Sequence, residues 1–165
     1  MHARLGLAML LLLLARCSLG AESATFESRS LTPETALAAA RAAMDACRKE
    51  GYQVAVAVVD RSGLLQVLLR DRLAGAHTVD VAVNKAWTAM SFRQPTAALA
   101  NETQSGKPMS GLRNVPRVLP VAGGQVIEGG GSALAGIGVS GAPGGDADDR
   151  CAAAGIKAIA DTIEF

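Results

Sequence analysis

The chain has 165 residues, half of them hydrophobic, 19% charged and 3% aromatic, with 18 glycines and a formal net charge of +1. That length suits one globular domain, and the near-neutral charge excludes a nucleic-acid binder working through a basic face. Of the 16 basic residues only Arg4 and Arg16 fall in the first 20 positions and none of the 15 acids does, so the remainder is also close to neutral.

Leu5 to Ala15 is an unbroken apolar or glycine run behind His2 and Arg4. It is too short to span a bilayer, which takes about 20 residues, and has the layout of a secretory signal. Ser18-Leu19-Gly20 supplies a small-residue cleavage pattern. The expected organisation is a signal peptide over 1–20, a flexible N-terminal segment over 21–30 and one domain over 31–165. Export to the periplasm or the outside of the cell follows, with no membrane span in the mature chain. Cys17 stands where a lipoprotein signal places its cysteine, but Arg16 before it is a poor match.

Thr32-Pro33-Glu34 reads as an N-cap, a first-turn proline and an acid favoured by the helix dipole. A helix is predicted over Pro33 to Glu50, with Leu37, Ala40, Met44 and Cys47 inward and Gly51 as its stop. Tyr52 to Val59 is apolar on both alternating faces, as in a strand covered on both sides or at a subunit contact. Asp60 to Gly63 is a turn, and Leu65 to Arg70 alternates as the second strand of a hairpin.

Thr78 is the expected cap of a helix running to Phe92, with Val79, Ala82, Ala86 and Met90 as its core stripe. His77, Asp80, Asn84 and Thr88 stack along another line of it, beside Trp87 and Ser91. Gln94-Pro95 breaks this helix, and Thr96 is expected to cap a short one to Thr103. Ser105 to Pro120, with little periodicity, reads as a long loop of the kind that is often functional. Gln125 to Glu128 and Ser132 to Ser140 form a second hairpin around a glycine triplet. In its last strand Ala133, Ala135, Ile137 and Val139 face one way, and Leu134, Gly136, Gly138 and Ser140 the other. After Gly141 to Gly145, three aspartates open a terminal helix marked by Ala152, Ile156, Ile159 and Ile163. The order α-β-β-α-α-β-β-α, with hairpins separated by helices, predicts an α+β fold with a mainly antiparallel sheet.

Beyond the leader, two cysteines and one histidine remain. Cys47 and Cys151 are either a disulfide, which export permits, or two buried thiols on helix faces. The first and last helices are expected to pack as antiparallel neighbours on one sheet face, bringing the two cysteines close. No CxxC supports a thiolate metal site. The glycine loop before the last helix is mainly turn geometry. Its aspartates disfavour a phosphate, and a small carboxylate or hydroxyacid is the other reading.

His77 and Asp80 are a plausible histidine–carboxylate pair, of the kind that fixes a metal-binding imidazole, or His77 is only a solvated residue outside a helix start. Trp87 fits a planar ligand, a subunit contact or the core. Lys85, Arg93, Lys107, Arg113 and Arg117 are candidate partners for ligand carboxylates.

Three motifs in order, Val56-Ala57-Val58-Val59-Asp60-Arg61-Ser62-Gly63, then Val81 to Ala89 with Phe92 to Thr96, then Gly123-Gly124 with Gly136 to Ala142, closely resemble the GlcG/HbpS haem-binding-like family. The C-terminal domain of PduO-type proteins belongs to the same group. The resemblance spans about Leu31 to Ile163 and implies a profilin-like or PAS-like fold assembling as a homo-oligomer. It also implies non-covalent haem binding, with sensing beside a membrane sensor protein or scavenging as the role. On this reading His77 is the axial iron ligand, Asp80 its orienter, Thr88 the other residue nearest the iron, Asn84 on the same stripe, and Lys85 or Arg113 the partners of the propionates. The absence of CxxCH excludes covalent c-type attachment. An enzyme or accessory protein acting on a small hydroxyacid, and a structural oligomer without ligand, are the competing readings.

Overall fold

The structure, a computed structural model, describes residues 23–164. The leader reading lies outside these residues. Residues 23–30 carry no regular secondary structure.

Helix α1 (Pro33–Lys49) starts as its sequence dictates: Thr32 Oγ1 accepts the Thr35 N–H and Pro33 occupies the first turn. It stops in a Schellman motif, in which the Tyr52 N–H reaches Cys47 O, the Gly51 N–H reaches Arg48 O, and Gly51 takes φ +83°. Its buried stripe is Ala36, Ala39, Ala40, Ala43, Met44 and Cys47. Leu37, expected inward, is half-buried, because the buried line of the helix runs through Ala36 and Ala40 and sets Leu37 at its flank.

Strands β1 (Ala55–Asp60), β2 (Leu65–Arg70), β3 (Gly124–Gly129) and β4 (Ser132–Ser140) form one antiparallel sheet in the order β2-β1-β4-β3. Central β1 is covered on both faces. Val54, Val56 and Val58 enter the larger core, while Ala55, Ala57 and Val59 enter the smaller one beneath helix α2 (His77–Phe92). The β1–β2 turn is held by Asp60 Oδ1, which accepts the N–H groups of Ser62 and Leu64 at 2.8 and 2.9 Å.

Helix α2 lies almost against the β4 backbone. A Cβ added at Gly138 would collide with Ala82 O, and one at Gly136 with Ala86 O. The opposite face carries α1 and helix α4 (Gly145–Ile163), joined by a Cys47–Cys151 disulfide with Cα atoms 5.5 Å apart. This settles the cysteine alternatives in favour of the bridge and agrees with the expected packing of the first and last helices. A short helix α3 (Thr96–Glu102) and a 3-10 turn (Ser110–Asn114) occupy the connection from α2 to β3.

Three local expectations are corrected. Helix α2 begins at His77, with Ala76 at the cap and no side-chain cap, because Thr78 Oγ1 instead donates to Gly75 O at 2.6 Å. Thr96 does not cap α3; its buried Oγ1 donates to Gly124 O and accepts the Gly124 N–H, fastening α3 to β3. In β4 the pairing with β3 shifts between Ile127 and Glu128, so that Leu134 joins Ala135 in the larger core and Ala133 turns to the α2 side.

Candidate functional site

At one end of the sheet, the carboxyl end of β4, the Gly141–Gly145 loop, the first turns of α2 and α4, and the chain entering β1 surround a cleft of about 490 Å³. Its walls include Tyr52, Gln53, Gly75, His77, Ser140 and Gly144. Lys85 and Asp148 also line it.

Lys85 is 2% exposed and Asp148 4%. Lys85 Nζ donates to Asp148 Oδ2 at 2.7 Å and to Val139 O at 2.9 Å, while Asp148 Oδ1 accepts the Ala142 N–H. One buried ion pair therefore ties α2, β4, the glycine loop and α4 together. Gly123, with φ +114°, makes room for it: an added Cβ would stand 2.7 Å from both Lys85 Nζ and Asp148 Cβ. Burial pushes the Asp148 carboxyl above its ordinary range, against the pull of the Lys85 hydrogen bond and charge. Asp148 thus does more than complement the helix dipole. Asp149 is engaged as well, accepting the Gly123 N–H at 2.8 Å. Of the three acids, Asp146 is the one left exposed without a side-chain hydrogen bond.

His77 stands exposed at the cleft's edge. Its imidazole rests on Gly75, where a Cβ would lie 2.8 Å from Cε1, so glycine at 75 admits the ring. Among the described residues the His77 imidazole has no hydrogen-bond partner, Asp80 included. The expected orienting bond from Asp80 is therefore not made; both side chains are exposed on the first turn of α2.

Of the six residues singled out, the structure brings only His77 and Lys85 to the cleft. Lys85 is committed to Asp148 and is not available as a propionate partner. Arg113 is spent elsewhere, donating to Thr103 O at 2.8 Å and Ala100 O at 3.1 Å. Thr88 is fully buried; its Oγ1 donates to Arg117 O and accepts the Leu119 N–H, fastening the long loop to α2 and leaving no path to a ligand in this arrangement. Asn84 is half-buried on α2, away from the cleft lining. Trp87 is half-buried against Gly63, with the Arg117 guanidinium 4.8 Å from its ring centroid. The helical stripe thus divides: its first turn opens to the cleft, and its last turns anchor a loop.

Sequence reasoning missed Tyr52 and Gln53 as wall residues, and placed Ser140 only on the small-residue face of β4. The signals were small: two polar-tipped residues between a helix stop and a wholly apolar strand, and one hydroxyl ending a row of glycines.

Among the described residues, no group of three or more His, Cys, Asp or Glu is placed to hold a bare metal ion, and no helix is long and apolar enough to cross a membrane. What the geometry defines is a helix-covered antiparallel sheet with a polar cleft edged by one free histidine. Residues 31–157 match the family model described as "Haem degrading protein HbpS-like", and the chain belongs to that family. A double mutant of HbpS from Streptomyces reticuli is 42% identical, with 84% of this chain and 94% of that one covered and a TM-score of 0.76. The C-terminal PduO domain solved as a haem complex is 28% identical over 79% of this chain and 95% of that one, with a TM-score of 0.74. Protein ORFY of Klebsiella pneumoniae, 24% identical over 83% and 95% of the two chains, shares the fold at a TM-score of 0.80. No curated protein matches the chain.

Proposed function

We propose that this protein binds haem non-covalently at the cleft, with His77 as the residue that would hold the iron. The observation that carries the reading is the His77 imidazole: it lies at the edge of a 490 Å³ cleft, seated on Gly75, with its nitrogens unoccupied by any of the described residues. That volume is in the range of small-molecule and cofactor sites. Membership of a haem-degrading family and the haem complex of the PduO relative support the choice of ligand.

When bound, haem supplies a redox-active iron. The chain's own contribution is an imidazole nitrogen at the start of α2 and a cleft whose wall is fixed by the Lys85–Asp148 pair. Sensing or scavenging of extracellular haem is the role that fits an exported chain. The Cys47–Cys151 bridge supports export, since disulfides persist in oxidising compartments. Self-association fits the apolar surface of β2, where Leu64, Leu65 and Leu68 are exposed.

Titration of the mature chain with hemin, followed by Soret absorbance, tests the reading. A saturable band that shifts or is lost in His77→Ala is expected. A spectrum and stoichiometry identical in wild type and His77→Ala would overturn the ligand assignment, and uptake no different from that of an unrelated protein would overturn haem binding.

A further inference from the structure

Lys85 and Arg113, the residues expected to meet a ligand's acidic groups, are engaged inside the protein, yet the cleft keeps an unused set of donors. Ser140 ends β4 on the side facing α2, in line with Gly136 and Gly138. It is only 6% exposed, lines the cleft, and among the described residues its hydroxyl has no hydrogen-bond partner. The 19-residue helix α4 starts at Gly145 with no side-chain cap, and Gly144 and Gly145 line the same cleft as Ser140. Space is open above Gly144, where an added Cβ would meet nothing within 4 Å. Uncapped first-turn N–H groups carry the positive end of the helix dipole. Gln53, also in the wall, has a buried Oε1 without a partner, and a half-turn of that amide puts its Nε2 donor in the same place.

The nearby acids do not cancel this set. Asp148 is neutralised by Lys85, Asp149 is bonded to Gly123, and Asp146 is exposed on the first turn of α4. The Gln53 amide oxygen, buried without a partner, carries a free-energy cost that the flipped amide donating to a ligand oxygen would relieve.

We infer that Ser140 and the N-terminal turn of α4 form a carboxylate subsite within the cleft. The Ser140 O–H and the N–H groups of Gly145 and Asp146 are its donors, with Gln53 able to add a further one. The subsite rests on the haem reading only for the identity of one carboxylate source, a haem propionate; a free monocarboxylate is the other.

The test uses the chain with its disulfide intact. Sodium propionate is titrated into ¹⁵N-labelled protein while the Gly145 and Asp146 amide signals are followed, and hemin is compared with hemin dimethyl ester by Soret titration. Each is done in wild type and Ser140→Ala. Saturable shifts at both amides are expected, weakened about tenfold in Ser140→Ala, the loss of one hydrogen bond to a charged group. Hemin is expected to outbind its ester in wild type, and by less in Ser140→Ala. The ester comparison in wild type needs no variant to fold. Saturation by propionate with no specific hemin band would sink the haem reading and keep the subsite. A hemin band with no preference over the ester, together with no propionate response, would sink the subsite and keep the haem reading.

Discussion

Lys85 Nζ on α2 stands 2.7 Å from Asp148 Oδ2 on α4, and both side chains are buried behind the wall of the cleft. Helices on opposite faces of the sheet are thereby joined around its end, through a gap that Gly123 leaves open. Breaking such a pair from one side strands a buried charge. Lys85→Met is therefore expected to cost about 3 to 5 kcal/mol in denaturant unfolding, whereas Lys85→Met with Asp148→Leu recovers most of it. Equal losses in the single and double variants would show that the pair is not what holds the cleft wall.

The same carboxyl gives a pH signature. Its folded pKa is raised, by burial first, above its ordinary value near 3.8. Between those two values the folded state holds more proton than the unfolded one, so this group's contribution to stability falls as pH rises through that window. Unfolding free energies of wild type minus Asp148→Asn, measured from pH 4 upward, are expected to decline with pH and then level off. A difference that rises over the same interval would contradict a raised pKa.

The Cys47–Cys151 bridge closes a loop with a sequence separation of 104 and lies between the first and last helices. A cross-link of that reach stabilises chiefly by restricting the unfolded chain. Cys47→Ala with Cys151→Ala is expected to lower stability by about 2 to 5 kcal/mol. In unreduced, denatured protein purified from an oxidising compartment, mass spectrometry should find neither thiol alkylated; full alkylation of both would refute the bridge.

Thr88 is the peg of the long loop, since its hydroxyl serves both Arg117 O and the Leu119 N–H. Thr88→Val keeps the shape and removes both part-buried bonds, for about 0.5 to 1.5 kcal/mol each. Faster amide exchange at Leu119, with no change in hemin affinity, is the expected result. A lost hemin band would return Thr88 to the ligand site.

Strand β2 leaves Leu65 and Leu68 on the α2-facing side, exposed by 49% and 36%. For the proposed oligomer, Leu65→Ser with Leu68→Ser is expected to reduce the mass seen by light scattering. An unchanged mass would place the subunit contact elsewhere.

Much of the architecture is written in local patterns. The Thr32-Pro33 cap, the two-sided apolar β1 and the glycine-turned β3–β4 hairpin each declare themselves through periodicity and turn chemistry, and together they imply the antiparallel α+β order. Helix packing even foretold the proximity of Cys47 and Cys151. Site assignments were less legible, because helical spacing says which residues share a line and not what lies over that line. Thr88 and His77 share one stripe of α2, yet residues 117–119 cover the first and none of the described residues covers the second. Lys85 reads as a surface cation until Asp148, 63 positions away, is folded against it. Sequence alone therefore determined the elements and their order, since these depend on neighbours within a few residues. Tertiary structure alone decided which polar groups are spent on one another and which, like His77 and Ser140, remain free, since that depends on distant backbone closing around each side chain.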